Sequence, residues 1–328
     1  MMDHFHTNIY ITNYCNRKCK DCYYPKGDET MDVSLVDKTV KWIVDTCYSY
    51  DVNFYRAHIL GGEPMSEPTT MLYLIDQLKK KLPFFVRPPK EGQFVVFTNG
   101  DYLFPMVLKE LKKRRVKILL NPTNDKIEII RNKMETIKRI CKGVSLAVVL
   151  DYINMDRIEE LTDLAIEFDS HIRINRLYNG GAIPGYVEKY KEKMHKVFDK
   201  LLEAKKPMWP NFIMESTTPT WDGEKNPNFC GKCFVAINHN GKIRSCNGDM
   251  STEIGDIETP FKELCFSHRW SAKNLSECNG CEWIIWCQGG CPLTRKLAYG
   301  TYEYRSPFCS AFKELFPRLM KLKERWVV

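Results

Sequence analysis

Three cysteines near the start of the chain stand at the spacing C-x3-C-x2-C, as Cys15, Cys19 and Cys22 in the stretch NYCNRKCKDCYYP. Three thiolates on one tight loop can hold three irons of a cubane 4Fe–4S cluster and leave the fourth iron open to another ligand. A zinc site that lacks one ligand is the alternative interpretation. The loop therefore predicts a metal centre, and an iron–sulfur centre with an open iron would bring redox chemistry.

A second group of cysteines lies in the C-terminal third of the chain. It consists of Cys230, Cys233, Cys246, Cys278, Cys281, Cys287, Cys291 and Cys309. Eight thiolates are the complement for two fully ligated 4Fe–4S clusters, while paired C-x2-C steps are also typical of zinc sites. The whole chain has 14 cysteines and no export signal, so we expect reduced thiols that bind metal or act in catalysis, not disulfides.

The composition limits the class of protein that carries these cysteines. The chain has 328 residues, of which 44% are apolar and 27% charged, which is enough for a sizeable core and two structural units. It has no apolar run of about 18 residues and no targeting signal, so we expect a cytoplasmic protein without a membrane anchor. A net charge of +8 on a chain of this length is weak evidence for a nucleic-acid partner.

Short apolar runs alternate with helical patterns through about residue 205, which is typical of βα units around a parallel sheet. The predicted strands are Thr7–Thr12, Phe54–Leu60, Gln93–Phe97, Val116–Leu120, Val144–Leu150 and Ile172–Ile174. The first predicted helix begins at Asp32 or Ser34. Later helices cover about Thr70–Leu82, Leu103–Lys113, Ile127–Ile140 and Tyr186–Glu203. Between the last two of these, a further helix has Ile158, Leu161, Leu164, Ala165 and Phe168 on its inward face. Six such units predict an α/β fold, a partial (βα)6 TIM-like barrel over residues 1–206, with a cysteine-rich domain over 207–328.

A cysteine loop directly after strand one of a partial barrel resembles the radical S-adenosylmethionine (radical SAM) enzymes. The resemblance continues where strand two ends in HILGGEPM, as in the family's GGE motif, and after strand three. The residues that carry it are Gly61, Gly62, Glu63, Pro64, Thr98 and Asn99. By this resemblance the glycines admit the methionine part of S-adenosylmethionine (SAM), and Glu63 accepts a hydrogen bond from its ammonium group.

Two positions depart from the family pattern. The family has an aromatic residue just before the third cysteine, where it helps hold the adenine, and this chain has Asp21 there. Tyr24, or its neighbour Tyr23, is expected to take that role. Strand four ends in ILLNPTND instead of the Ser-x-Asp-Gly-like stretch that touches the ribose, so Asn121 is the candidate for that contact.

The C-terminal cysteines resemble the SPASM domain of radical SAM enzymes that modify peptides and proteins, such as the anaerobic sulfatase maturases. The resemblance assigns the nearer auxiliary cluster to Cys230, Cys233, Cys246 and Cys291, and the outer one to Cys278, Cys281, Cys287 and Cys309. In sulfatase-maturing relatives an Asp acting as general base follows the cysteine that corresponds to Cys246. Here Asn247 stands at that position, which disfavours formylglycine formation and leaves Asp249 as the candidate base.

The resemblance implies a radical SAM oxidoreductase with three 4Fe–4S clusters. Such an enzyme makes a 5′-deoxyadenosyl radical that abstracts hydrogen from a peptide or protein side chain, with net oxidation or cross-linking, as in peptide maturation. Reduced flavodoxin or ferredoxin is the expected electron donor. The cluster motif begins at residue 15, so we expect no leader-peptide-binding domain before the barrel.

Two alternatives remain at this stage. One is a radical SAM dehydrogenase of a small molecule such as a sugar alcohol, and the other is a zinc-dependent nucleic-acid-binding protein. The histidines show no spacing typical of a metal site, and we expect His4 and His6 at the surface.

Overall fold

The computed structural model of the chain describes residues 2–82, 93–204, 233–249, 251–266, 275–287 and 289–324. The chain falls into two compact units. The first unit contains Met1–Asn121, Asn132–Val144 and Cys230–His268, and the second contains Pro122–Arg131, Ser145–Phe229 and Arg269–Val328. The predicted domain boundary at residue 206 lies outside the described residues, so the division into 1–206 and 207–328 stays a prediction.

The described elements begin with the alternation of strand and helix that the sequence predicts. The strands are β1 Met2–Tyr10, β2 Val52–Leu60, β3 Phe94–Thr98, β4 Lys117–Leu120, β5 Ser145–Leu150, β6 Ile172–Arg176, β7 Phe234–Ile237, β8 Lys242–Arg244 and β9 Glu253–Asp256. The helices are α1 Val33–Ser49, α2 Pro68–Lys81, α3 Pro105–Lys113, α4 Ile127–Cys141, α5 Tyr152–Glu167, α6 Tyr186–Glu203, α7 Ile284–Cys287, α8 Pro292–Tyr299 and α9 Cys309–Glu324. None of these helices combines the length and the apolar character needed to cross a membrane.

Among the described residues of the first unit, seven strands form a sheet in the order β4-β3-β2-β1-β7-β8-β9. The strands from β4 to β7 in this order are parallel, and β8 and β9 are antiparallel to their neighbours. The carboxyl ends of β1, β2, β3 and β4 therefore lie at one edge of the sheet. This edge gathers the loops that follow those strands, which include the first cysteine motif.

Helix α1 shows why the local sequence folds as predicted. Asp32 caps its start, since the Asp32 carboxylate accepts a hydrogen bond from the N–H of Leu35 at 2.7 Å. Its inward face is apolar and buried, and the Trp42 ring lies 6.3 Å from the ring of Phe5 on β1. Burial of this face against the sheet supplies the main free energy that holds the helix in place.

Strand β1 begins earlier than predicted, at Met2 instead of Thr7. The first half of β1 carries His4 and His6, which were predicted to lie at the surface. That expectation is wrong for His6, which is only 8% exposed. The reason is that β1 has β2 on one side and β7 on the other, so His6 lies within the sheet.

In the second unit, β5 and β6 are parallel neighbours, and α6 lies against α5 and α9. The hydroxyl of Tyr186, at the start of α6, donates to the carbonyl of Leu150 at 2.6 Å and accepts from the N–H of Leu177 at 3.0 Å. Tyr186 thereby joins the end of β5 to the segment after β6. The second unit also contains the cysteines from Cys278 to Cys309.

Candidate functional site

The segment of residues 15–22, called here the cluster loop, brings three thiols together. Cys15 and Cys19 are half-buried and Cys22 is exposed. Burial raises the pKa of the Cys19 thiol, and the charges of Cys22 and Cys15 raise it further. Burial would lower the pKa of the Lys26 ammonium group, but the thiols of Cys22 and Cys15 raise it above its usual value. A cationic metal centre beside these sulfurs would favour the thiolate form of Cys19.

The end of β2 packs directly against the segment that leads into the cluster loop. The N–H of Gly62 donates to the carbonyl of Thr12 at 2.8 Å, and the N–H of Glu63 donates to that of Tyr14 at 2.7 Å. A Cβ atom on Gly62 would lie 1.9 Å from the Tyr14 carbonyl oxygen. Only glycine permits this approach. The Gly61–Gly62 pair, predicted to admit a cofactor, thus also fixes where the cluster loop starts.

Glu63 is a buried acid, with the residue only 1% exposed. Its Oε1 accepts from the N–H of Met65 at 2.9 Å and from the Thr98 hydroxyl at 2.8 Å, and its Oε2 accepts from the N–H of Asn99 at 2.7 Å. Burial raises the pKa of Glu63 to about 7, against the opposing effect of these donors. Pro64 begins the short 3-10 helix that presents the Met65 N–H. Glu63 therefore joins the end of β2 to the end of β3.

Asp101, which the sequence analysis missed, holds the cluster loop. Its carboxylate accepts two hydrogen bonds from Arg17, at 2.6 and 2.5 Å, one from the Asn16 amide at 2.7 Å and one from the Lys133 ammonium at 2.6 Å. Partial burial would raise the pKa of Asp101, but these hydrogen bonds from Arg17, Lys133 and Asn16 lower it. The available signal was its position directly after Gly100, one residue beyond the matched motif.

Tyr24 is buried among protein groups. It is 4% exposed, and its ring is stacked on that of Tyr10 with centroids 4.3 Å apart. Its hydroxyl lies 2.8 Å from Nδ1 of His239, whose Nε2 lies 2.8 Å from Oε2 of Glu29. His239 follows β7 and had no spacing signal in the sequence. The solvent-exposed aromatic next to the third cysteine is Tyr23, at 39% exposure.

In the first unit, Asn121 and Asp249 lie at opposite ends of the strands of the sheet. Asn121 is half-buried at the end of β4, and its N–H donates to the carbonyl of Thr98 at 2.7 Å, which places it beside the other predicted SAM contacts. Asp249 follows β8, which runs antiparallel to β7. Its Oδ1 accepts from the Ser251 hydroxyl at 2.7 Å. The structure thus places the predicted base near Cys246 and away from the cluster loop.

Two of the predicted auxiliary-cluster ligands lie at the edge where β1 and β7 begin. Cys233 is 7% exposed and directly precedes β7, and its sulfur lies 3.4 Å from Nε2 of His4. Cys246 is half-buried and follows β8. Cys230, predicted to bind the same cluster, lies outside the described residues.

In the second unit, two of the predicted outer-cluster ligands affect the pKa of a third. Burial raises the pKa of the Cys278 thiol, and the neighbouring Cys309 and Cys281 raise it further, whereas Arg295 lowers it. Arg295 is fully buried, at 0% exposure, so a permanent cation lies next to this group of thiols. The other two predicted ligands of the second unit are Cys287, which ends α7, and Cys291, which precedes α8.

The donor chemistry of these thiols fits iron–sulfur clusters, whose irons are held by cysteine thiolates. The charges of Cys22 and Cys15 raise the pKa of Cys19, and those of Cys309 and Cys281 raise the pKa of Cys278, so each set contains thiols that lie near one another. Among the described residues, no group of three His, Cys, Asp or Glu side chains is arranged as ligands of a single ion.

No protein-family model matches the chain, and no curated protein matches it in sequence. Solved structures match its fold. The AdoMet-bound anaerobic sulfatase-maturating enzyme anSMEcpe has a TM-score of 0.73 at 17% identity, over 98% of this chain and 99% of its own. The same values hold for anSMEcpe with AdoMet and the Cp18Cys peptide. SuiB of Streptococcus suis, bound to the precursor peptide SuiA, has a TM-score of 0.67 at 16% identity, over 94% of this chain and 76% of its own.

The chain therefore has the fold of these radical SAM structures, an α/β partial barrel with a C-terminal cysteine-rich region. This confirms the fold class predicted from the sequence. At these identities the likeness is one of fold, so the chemistry must be argued from the residues of this chain.

Proposed function

We propose that the chain is a radical SAM enzyme that oxidatively modifies a peptide or protein side chain. The observation that carries this proposal is the gathering of the Cys15, Cys19 and Cys22 thiols on one braced loop. That loop lies in a fold shared with AdoMet-bound structures. When bound and reduced, the open cluster supplies the electron that splits SAM and so starts hydrogen abstraction from the substrate.

The residues around the cluster loop would hold SAM at the carboxyl edge of the sheet. Glu63 is committed to three protein donors, so its role is to fix Thr98 and Asn99 in place. Exposed Tyr23 is better placed than buried Tyr24 to stack on the adenine. Asn121, at the same edge, is the candidate for the ribose contact.

The remaining cysteines would hold two fully ligated clusters, one on Cys230, Cys233, Cys246 and Cys291 and one on Cys278, Cys281, Cys287 and Cys309. A cluster without an open iron suits electron transfer, which favours net oxidation of the substrate. The peptides bound to anSMEcpe and SuiB support a peptide substrate for this chain. Asp249 stays the candidate base, and reduced flavodoxin or ferredoxin is the proposed electron donor.

The test is metal analysis and product analysis of the anaerobically reconstituted protein. We expect about 12 irons per chain and release of 5′-deoxyadenosine after reduction with SAM. Peptides that are substrates should lose the mass of two hydrogens if they are oxidised. Tightly bound zinc with no 5′-deoxyadenosine would refute the proposal.

Replacing Asp101 with asparagine should loosen the cluster loop, because an amide lacks the charge that pairs with both Arg17 and Lys133. We expect 5′-deoxyadenosine release to fall by about 10–100-fold, the usual effect of losing a group that orients metal ligands. Chelators should also extract iron from this cluster faster. The control is Asp163→Asn, which removes an exposed carboxylate that accepts from Lys200 and should leave both readouts unchanged. Equal effects in the two variants would rule out a specific role for Asp101.

A further inference from the structure

Four polar side chains of β1 and β2 share one face of the sheet in the first unit. Parallel pairing sets His6 opposite Arg56 and Asn8 opposite His58, and the rings of His6 and His58 lie 4.1 Å apart. The opposite face carries apolar and aromatic side chains that pack toward α1. The four polar residues, called here the inner polar strip, therefore lie on the face that α1 does not cover.

Two members of the inner polar strip carry buried polar atoms that have no partner in the part of the chain that the structure describes. Asn8 is 4% exposed, and its side-chain oxygen accepts no hydrogen bond from a described residue. The Nε atom of Arg56 is also buried and donates to none of the described residues. Each such atom costs about 1–3 kcal/mol in the absence of a ligand.

Among the described residues, Arg56 has no carboxylate partner. The residue is half-buried, and burial lowers the pKa of its guanidinium group. Its guanidinium carbon lies 5.5 Å from the ring centroid of Phe54. Arg244, by contrast, is 8% exposed and is paired with Glu253. Because partial desolvation of a cation without an anion costs free energy, an anionic ligand would stabilise Arg56 in this position.

Within the first unit, the inner polar strip lies between the cluster loop and Cys233, a predicted ligand of the nearer auxiliary cluster. Arg56 is four residues before the end of β2, which is about 13 Å along the strand from the edge that holds the cluster loop. Toward the other edge, the backbone N–H of His6 donates to the carbonyl of Cys233 at 2.8 Å. A substrate that must reach both centres would pass along this face.

We propose that the inner polar strip binds a carboxylate of the peptide substrate, with the Arg56 guanidinium pairing with the carboxylate and the Asn8 oxygen accepting a substrate N–H. This inference rests on the proposed function and deepens it, since it names an acidic peptide as the substrate class. The carboxylate could belong to an Asp or Glu side chain or to the end of the peptide chain.

The test compares matched peptide probes on the reconstituted holoenzyme by anaerobic isothermal titration. The first pair is acetyl-Ala-Asp-Ala-amide and acetyl-Ala-Asn-Ala-amide, and the second is acetyl-Ala-Ala-Ala with a free and with an amidated end. We expect the carboxylate member of one pair to bind about 10-fold or more tightly, as a charge-assisted hydrogen bond predicts. The pair that shows the preference identifies the source of the carboxylate.

Variants then assign to Arg56 the preference, defined as the ratio of the dissociation constants of the neutral and the carboxylate probe. In Arg56→Gln this ratio should fall to about 1. Arg56→Lys should keep part of the preference, because lysine retains the charge and loses the planar fork. Arg139→Gln removes an exposed arginine from α4 and should keep the full preference. Iron content of Arg56→Gln should equal that of the wild type. A preference that survives in Arg56→Gln, or iron lost from that variant, would overturn the inference.

If Arg56→Gln fails to fold, titration of the wild-type protein with the two probe pairs still tests the inference. A preference near 1 for both probe pairs would overturn the carboxylate site. If the same preparation still releases 5′-deoxyadenosine, only this inference fails. If it releases none and holds zinc, the proposed function fails as well.

Discussion

The Cys19→Ala variant is expected to lose 5′-deoxyadenosine release by more than about 100-fold, because removing a direct ligand should exceed the cost of removing a group that only orients one. Cys19 is the thiol whose pKa is raised by both other members of the set, so it lies near both of them. Iron should fall from about 12 to about 8 per chain, since only one of three clusters is lost. Iron analysis and chromatography of the products measure both effects.

Cys265→Ala is the matched control. Cys265 is exposed and belongs to none of the three predicted ligand sets, so this variant should keep all its iron and its activity. Cys19→Ala protein that retained the full iron content and released 5′-deoxyadenosine would remove the cluster loop from the mechanism.

Replacing Glu63 with glutamine is expected to give the second largest effect. The carboxylate accepts three hydrogen bonds, whereas the glutamine amide offers one oxygen and turns an NH2 group toward the remaining donor or donors. Each unsatisfied buried group costs about 1–3 kcal/mol, so we expect the free energy of unfolding to drop by about 2–5 kcal/mol. Anaerobic urea denaturation followed by circular dichroism measures this change.

The same pair of proteins should differ in pH dependence. The pKa of Glu63 is about 7 in the folded chain, above the ordinary value of 4.5. Between these values the folded chain keeps a proton that the unfolded chain has lost. The contribution of Glu63 to stability is therefore full below pH 4.5 and declines as the pH rises to about 7, by about 3 kcal/mol in all.

Because glutamine does not titrate, Glu63→Gln should lack this part of the decline. Glu67→Gln is the control, since Glu67 lies four residues away and its side chain makes no capping hydrogen bond to α2. This control should keep the pH dependence of the wild type. Identical slopes of stability against pH in wild type and Glu63→Gln would show that Glu63 is not protonated at neutral pH.

An acidic peptide substrate would give the positive charge of the chain a specific use. The net charge of +8 is spread over the whole sequence and had no functional interpretation there. Arg56 is one of 49 basic residues. It is half-buried, and among the described residues it has no carboxylate partner, while its Nε atom is buried. An anionic ligand at Arg56 would give this one charge a specific role.

The sequence predicted the elements that depend on neighbours along the chain. The alternation of apolar runs predicted the six βα units. Asp32 and Ser34 were the two predicted starts of α1, and Asp32 is the observed cap. The spacing of Cys15, Cys19 and Cys22 predicted three thiols on one loop because eight successive residues can only span a short distance. The Gly61–Gly62 pair likewise predicted that another group approaches the backbone closely at this point. It did not predict that this group is the Tyr14 carbonyl.

Only the tertiary structure decided which distant residues support the site. Asp101 meets Arg17 across 84 residues, and His239 meets Tyr24 across 215 residues. His6 is buried because a strand from near residue 234 pairs with β1, and no local pattern contains that information. Hydrogen bonding and burial depend on which strands become neighbours. That choice is made by the packing of the whole sheet, so only the fold could show that Arg56 has no carboxylate partner among the described residues.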